Sequence, residues 1–306
     1  MEKHKRIYWK IGLNITPEIF IKADNYHIAE RCILTQSYAF RTYGILPDTS
    51  FKISYRLNHD TIFIDELYCR AITNNGHLID VQNDVTFKEL SLHNLSYERQ
   101  HYVILSVDSF QPKTVEKEEK EEIYATATYN VEIIEAGEMI TSGIPIMKIY
   151  YNRKKRCMEE DKSYIVPHIS LSTSKSLIEK YHEAKDVIED IINKLSPDEG
   201  IFFHVELLEV ELKNYTLQEF PAEMILLLKK FCTLLKSYLK KLNRDEFDEM
   251  QSFLDEIYNH NDILCVVQKG LECLKIINLK IDEKEETVEE IIEMPAPAPK
   301  LILPEI

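Results

Sequence analysis

The sequence predicts an α+β fold, with an N-terminal antiparallel β-sandwich, or shell, followed by a C-terminal antiparallel helical bundle. Between about residues 45 and 165, apolar residues recur at every second position, which is typical of strands. From about residue 173 the apolar period becomes 3.6, which is typical of helices. We therefore divide the chain into a shell domain with an N-terminal arm (1–170), a helical bundle (171–281) and an acidic, proline-rich flexible tail (282–306).

The strand predictions rest on alternation and on turn residues. Apolar and polar residues alternate along 51–57 and again along 123–133, and further apolar runs cover 102–107 and 144–151. The runs at 61–72 and 78–81 flank Asn74-Asn75-Gly76, where glycine can supply the positive φ of a tight hairpin. Short strands separated by turns predict an antiparallel sandwich or barrel.

The helix predictions rest on the 3.6-residue period and on capping signals. We predict helices at 177–195, 202–212, 221–242, 245–258 and about 262–281. Ser and Thr at 172–174 are cap candidates, and Pro221 suits the first turn of a long helix. Short connections between these helices predict an antiparallel bundle.

The composition of the chain limits the cellular locations and the kinds of partner that are expected for it. The formal net charge of −15 disfavours binding to nucleic acid or to anionic membranes, which need a positive surface. The one short basic run, at 153–156, is too small to reverse that field. We find no signal peptide and no apolar run long enough to cross a membrane, and the six cysteines lack C-x-x-C spacing. We therefore expect a cytoplasmic protein with reduced thiols.

The sequence predicts no catalytic, cofactor-binding or metal-binding residues, and therefore a protein that is not an enzyme. Its seven glycines lie singly, so a P-loop and a dinucleotide fingerprint are both absent from the sequence. It also lacks the H-E-x-x-H and G-x-S-x-G patterns. A cysteine and a histidine could converge in space, but their spacing in the sequence gives no support for such a pair.

The segment 224–242 is apolar on more than one face, whereas a surface helix needs an apolar stripe of only about 100°. The surplus could be covered by other helices of the same chain, or by these together with a sister subunit. We favour the second interpretation and predict an oligomer interface. Its candidate residues are Leu227, Phe231, Leu234, Leu235 and Tyr238.

The last part of the sequence has the composition of a tether. Residues 282–293 contain seven carboxylates against the single Lys284, and a Pro-Ala run follows at 295–299. Leu301, Ile302 and Leu303 form an apolar tip after that run. The segment is either a frayed tail or a peptide motif that adds a strand to a partner's sheet or fills a groove.

The N-terminal arm carries Trp9, the only tryptophan, and a helix start at Thr16-Pro17-Glu18. Trp9, Leu13 and Phe20 could fasten the arm over the edge of the sandwich. They could equally belong to a binding interface, since Trp and Tyr are enriched at interface hot spots. The residues alone leave both interpretations open.

This arm resembles the opening of the TssK family, baseplate adaptors of the type VI secretion system, whose pattern is W-x-x-G-[LM]-x-L-x-P-x-x-F followed by a D-x-Y-like element. Later segments at 43–51, 164–177 and 220–223 are also similar to family elements and occur in the same order. Glu18-Ile19 stands where the family often has Gln-His. The matching residues of the arm are Trp9, Gly12, Leu13, Pro17, Phe20, Asp24 and Tyr26.

The resemblance implies a noncatalytic homotrimer that connects the baseplate wedge proteins TssF and TssG to the membrane-anchored complex. In that case the arm residues would anchor the shell or contact the wedge. The family usually continues into a C-terminal domain that meets the inner-membrane complex, whereas this sequence stops soon after its helices. A different membrane-complex protein, or the tail, would then take over that contact. The alternatives are a phage-like receptor-binding or tail-fibre adaptor and a small-molecule-binding regulator.

Overall fold

A computed structural model describes residues 4–38, 43–47, 49–59, 61–116, 123–196, 200–239 and 244–293. The predicted α+β class is confirmed, with antiparallel sheets in the N-terminal part and helices in the C-terminal part. The helices are α1 (Pro17–Tyr38), α2 (Lys175–Lys194), α3 (Phe202–Asn214), α4 (Pro221–Tyr238), α5 (Arg244–Asp255) and α6 (Ile263–Glu293). The strands are β1 (Gly44–Ile45), β2 (Lys52–Leu57), β3 (Thr61–Ile72), β4 (Leu78–Gln82), β5 (Leu90–Ser91), β6 (His101–Glu116), β7 (Ile123–Glu135), β8 (Ile144–Asn152) and β9 (Cys157–Glu160).

The chain forms two compact units that are not contiguous in sequence. Unit 1 comprises Met1–Ile178, Leu217–Glu223 and Tyr258–Val266, and unit 2 comprises Glu179–Thr216, Met224–Ile257 and Val267–Ile306. The sequence analysis divided the chain at residue 170 instead. Three short segments from the predicted helical part, at 171–178, 217–223 and 258–266, therefore belong to the unit that contains the sheets.

Unit 1 contains two antiparallel sheets that share one apolar core. In the first sheet β3 pairs with β1, β2, β4 and β5, and the second has the order β7-β6-β8-β9. Both sheets contribute residues to the buried core, among them Ile62 of β3, Leu105 of β6 and Ile149 of β8. The hydroxyl of Tyr129 on β7 bonds to both the backbone N–H and the carbonyl of Asp80 on β4, which connects the two sheets.

The turn between β3 and β4 has the conformation that its sequence predicts. Gly76 has a φ of +82°, a left-handed value that favours glycine. A Cβ at this position would stand 2.5 Å from the carbonyl oxygen of Cys32 on α1. Glycine is thus required both by the turn and by the close approach of α1.

Unit 2 consists of helices that contact one another through polar and apolar groups. Lys194 on α2 bonds to Asn278 and to Asp282 on α6, at 3.0 and 2.8 Å. Lys229 on α4 donates to the carbonyl of Leu254 at 3.1 Å and also to that of Glu256, so it caps the end of α5.

Several elements differ from the sequence prediction, including β1 and β5, which were not predicted, and β6, which extends to Glu116. The helix α1 has 22 residues, whereas only its start was predicted. Its apolar residues are spread around the helix and give no clear 3.6-residue stripe. The helix α6 continues to Glu293, beyond the predicted end at 281, and β9 forms at Cys157–Glu160, where no strand was predicted.

Candidate functional site

The arm and the first half of α1 form an exposed surface, which we call the arm surface (residues 8–26). Trp9 is 51% exposed and Phe20 is 55% exposed, and their rings lie 6.3 Å apart. Gly12 has a φ of +85°, a value that allows the arm to turn there. More than half of each of the two large side chains is thus open to solvent and available to a partner.

The other arm residues singled out by sequence lie on the same surface. Leu13 is half-buried, Pro17 is the first residue of α1, and Asp24 is exposed one turn beyond Phe20. The hydroxyl of Tyr26 donates to Glu30 at 2.6 Å, within the same helix. The structure therefore brings the seven residues together on one element and its approach segment.

Contact of this region with the sheets is made by other residues. His4 stacks on Phe110 of β6 with ring centroids 4.5 Å apart. Cys32 is buried on α1, where it approaches the β3–β4 turn. The sequence analysis considered Trp9 and Phe20 as residues that fasten the arm to the sandwich. In the structure, His4 and Cys32 make such contacts with the sheets.

The predicted oligomer-interface residues on α4 need a correction. Leu227, Phe231 and Leu235 are buried inside the chain, and Leu234 is half-buried. The side chain of Tyr238 lies outside the described part of the structure. Most of the apolar surplus of α4 is covered by its neighbours in unit 2, for example where Leu228 meets Gly270 of α6, although Leu226 is 56% exposed. The interpretation that a sister subunit covers Leu227, Phe231 and Leu235 is therefore wrong.

The helix α3 instead carries an exposed apolar stripe. Phe203 is 63% exposed and Leu207 and Val210 are each 53% exposed, at the i, i+4, i+7 spacing of one helix face. Val205 and Leu212 on the same helix are buried. This helix is thus apolar on two faces, and the described residues of the chain cover one of them.

The tail motif predicted at Leu301, Ile302 and Leu303 lies outside the described residues.

Unit 1 also contains a buried polar cluster, formed by Tyr43, Lys148, His168, His260 and Asp262. Lys148 is only 7% exposed and donates to Asp262 at 2.7 Å. Its ammonium group also lies 3.9 Å from Asp161 and 5.9 Å from the centre of the Tyr102 ring. The ion pair fixes the start of α6 against β8.

The same cluster holds the 258–262 segment through hydrogen bonds. The backbone carbonyl of Tyr43 accepts a bond from His260 Nε2, and the Tyr43 hydroxyl donates to Asn261. The hydroxyl of Tyr258 bonds His260 Nδ1. These contacts satisfy both ring nitrogens of a neutral, buried His260.

Burial shifts the titration of the cluster histidines. Desolvation lowers the pKa of His168 to about 4, with a further contribution from the nearby His260. Desolvation also lowers the pKa of His260 to about 4, although its bond to the Tyr43 carbonyl opposes this shift. Burial raises the pKa of Tyr43 and of Tyr164. The two histidines are thus neutral at neutral pH.

One cysteine does meet a histidine in space. Cys32 Sγ lies 3.4 Å from His77 Nδ1, and Ser109 Oγ lies 3.1 Å from the same nitrogen. Burial raises the pKa of the Cys32 thiol and lowers the pKa of His77. Both shifts favour the neutral pair, whereas a reactive cysteine needs the thiolate.

Two kinds of feature are absent from the described part of the chain. No group of three or more His, Cys, Asp or Glu side chains there is arranged to hold a metal ion. Among the same residues, no helix combines the length and the apolar character needed to cross a bilayer.

Comparison with known proteins gives matches in structure only. No family model matches the chain, and no curated protein matches it in sequence. A chain of a type VI secretion system TssK-TssF-TssG baseplate subcomplex is 14% identical with a TM-score of 0.60, over 90% of this chain and 99% of that chain. A crystal structure of TssK is 12% identical with a TM-score of 0.59, over 90% of this chain and 72% of that chain.

A third structure agrees with these two. TssK from the type VI secretion system of EAEC, solved in complex with a nanobody, is 13% identical with a TM-score of 0.56, over 84% of this chain and 68% of that chain. The resemblance to TssK inferred from the sequence motifs is therefore confirmed at the level of the fold.

Proposed function

We propose that this chain is a structural component of a type VI secretion baseplate. The main support for this proposal is the similarity of the fold to TssK over nine-tenths of the chain. Trp9 and Phe20, which match the family pattern, are also half exposed. One of the similar structures is a subcomplex of TssK with TssF and TssG, so we propose the corresponding wedge proteins as partners. The neutral Cys32–His77 pair accords with a role without catalysis.

The proposed wedge contact is the arm surface. Trp9 and Phe20 combine large apolar area with few rotatable bonds, and such residues carry much of the energy of an interface. Specific interfaces bury about 1,600 Å² in total. The two rings would supply the central anchors, and Asp24 and the exposed part of the arm would lie around them.

The proposed assembly is a homotrimer whose subunits meet through the stripe of Phe203, Leu207 and Val210 on α3. Three neighbouring exposed apolar residues on one helix face form a patch that self-association would cover. A closed ring of three identical copies satisfies such a patch on each subunit. The trimer would present three arm surfaces at once and so raise its avidity for the wedge. We further propose a cytoplasmic location and a link to the membrane-anchored complex.

Co-purification with co-expressed TssF and TssG tests this function. We expect the wild-type chain to retain both proteins and Trp9→Ala to retain at least tenfold less, because a central aromatic anchor is lost. Met139→Ala, which truncates another exposed residue of unit 1, should behave as wild type. Equal recovery with Trp9→Ala and with wild type would remove the arm from the interface, and no recovery with the wild type would refute the baseplate role.

A further inference from the structure

A groove separates α1 from the β3–β4 hairpin, within unit 1. It has a volume of about 610 Å³, within the range of clefts that bind small molecules. The α1 residues that line it recur every three or four positions along one face of the helix, from Ile21 to Thr35. At about 1.5 Å per residue this face is roughly 21 Å long. The groove is therefore elongated and can hold an extended chain.

The middle of the groove has aliphatic walls. Ile28 of α1, Ile72 and Leu78 of the hairpin and Ala127 of β7 all line it. Leu78 is 48% exposed, and the other three are partly exposed. Covering such apolar surface removes it from water, which favours binding. These walls suit an alkyl chain.

His77 gives the groove a hydrogen-bond donor. It lines the groove and is only 6% exposed. Its Nδ1 lies 3.4 Å from Cys32 Sγ and 3.1 Å from Ser109 Oγ, and the thiol and the hydroxyl are both donors. Nδ1 is thus the acceptor of a neutral ring, and the ring hydrogen is on Nε2. This N–H has no acceptor among the described residues, and a buried donor needs one.

Arg31 gives the groove a positive charge. Its Nε donates to the carbonyl of His27 at 3.4 Å, and no described carboxylate forms an ion pair with its guanidinium group. The charge of Arg31 acts at the Cys32 thiol, where it opposes the rise in pKa that burial causes. Arg31 and the His77 ring therefore both lie near Cys32. Asp24, the acid of the groove, precedes Arg31 by seven residues, roughly 10 Å along the helix.

The segment that carries this cation is also basic as a whole. Residues 4–38 contain five lysines and arginines against three carboxylates, a net charge of +2 in a chain of −15. An anion is thus attracted to this part of the chain although the whole chain is acidic. Within the groove, Asp24 would repel an anionic group and so direct it towards the end that holds Arg31.

We propose that the groove binds a small aliphatic carboxylate, such as a medium-chain fatty acid, with its carboxylate at Arg31 and His77. A carboxylate accepts two parallel hydrogen bonds from a guanidinium group, and it also provides the acceptor that the Nε2–H lacks. The alkyl chain then lies between Ile28, Ile72 and Leu78. This binding does not depend on the proposed baseplate function.

Titration with decanoate, below the concentration at which it forms micelles, tests the proposal. Binding to the full chain is measured by isothermal titration calorimetry. Occupancy of the groove is measured by the iodoacetamide reaction of Cys32, which lines the groove, and followed by peptide mass spectrometry. The exposed Cys265 is the internal reference. Decyltrimethylammonium, which has the same alkyl chain and a positive head group, is the control ligand.

We expect one decanoate per chain, and Cys32 alkylation that slows several-fold at saturation while Cys265 alkylation does not change. Affinity should fall two- to fourfold for each methylene removed from the ligand, because less apolar surface is covered. Decyltrimethylammonium should bind at least tenfold more weakly than decanoate. Decanoate that does not bind, or that binds without protecting Cys32, would overturn the proposal.

A pair of α1 variants tests the head-group contact. Arg31→Gln should weaken decanoate binding at least tenfold, because the charge-assisted hydrogen bonds are lost. Lys22→Gln removes another exposed cation of α1 that does not line the groove, and it should bind as the wild type does. Circular dichroism checks that both variants are folded. Equal affinity of Arg31→Gln and the wild type, or equal affinity for the two ligands, would show apolar adsorption without recognition of the anion and would refute the proposed site.

Discussion

Mild acid should destabilise unit 1 through the buried histidines of the polar cluster. In the folded chain burial lowers the pKa of His168 and of His260 to about 4, whereas an unfolded histidine has a pKa of about 6.5. Between these values the unfolded state binds more protons than the folded state. The free energy of unfolding therefore falls as the pH drops from about 7 towards 4, and it is fully retained above the unfolded pKa.

The magnitude follows from the same two values. Between pH 7 and pH 5, each histidine should remove about 2 kcal/mol from the free energy of unfolding, and the two together about 4 kcal/mol. That is a large part of the 5–15 kcal/mol typical of a domain. The carboxylates whose pKa is lowered by ion pairs, such as Asp65 and Glu183, titrate below this window and contribute little to it.

The assay is urea unfolding at pH 7, 6 and 5, followed by near-ultraviolet circular dichroism of the buried tyrosines of unit 1. The wild type is compared with a variant that carries His168→Gln and His260→Gln. We expect the variant to be less stable at pH 7 but to lose about 4 kcal/mol less than the wild type on going to pH 5. His182→Gln, at an exposed position, should keep the wild-type dependence. If the double variant loses as much as the wild type, the two histidines are not held neutral in the fold.

The remaining predictions concern the α3 stripe and the buried ion pair. Phe203→Ser with Leu207→Ser should keep the chain folded, with a cooperative unfolding transition, and reduce the mass in light scattering from about 108 kDa, three times 36.0 kDa, to that of one chain; a variant that stays at three copies would show that the subunits meet elsewhere. Lys148→Met should lower the free energy of unfolding by about 3 kcal/mol, because Asp262 keeps a partly buried charge without its cation. Adding Asp262→Leu should recover at least half of this loss, and a double variant as unstable as the single one would contradict the pairing.

Much of the sheet unit could be predicted because its signals are local. Alternation along 51–57 and 123–133 corresponds to β2 and β7, and the Asn-Gly pair before His77 marks the β3–β4 hairpin. The full length of α1 was not predictable in the same way. Its apolar residues point to several faces, since Ile33 and Leu34 are exposed while Cys32 is buried. A helix with this distribution gives no periodic stripe to detect.

The buried polar cluster was missed because its members are far apart in the sequence. Tyr43, Lys148, His168 and His260 come together only through tertiary structure. One signal was available: Lys148 interrupts the apolar run of β8, and a lysine inside a buried strand needs a charged partner. The sequence could not identify that partner as Asp262, which lies 114 residues further along the chain.

The α4 and α3 helices show why apolar excess alone does not locate an interface. Both carry more apolar residues than one buried face requires, yet the exposed side of α4 is mostly polar, with Lys230 and Thr233 beside the single exposed Leu226 among its described residues. On α3 the outward side holds Phe203 and Leu207. The two helices differ in the composition of the face that does not pack into the core. That face can be identified only when the neighbouring helices are placed, and for this reason our proposed subunit contact lies on α3, whose apolar stripe the described residues leave exposed.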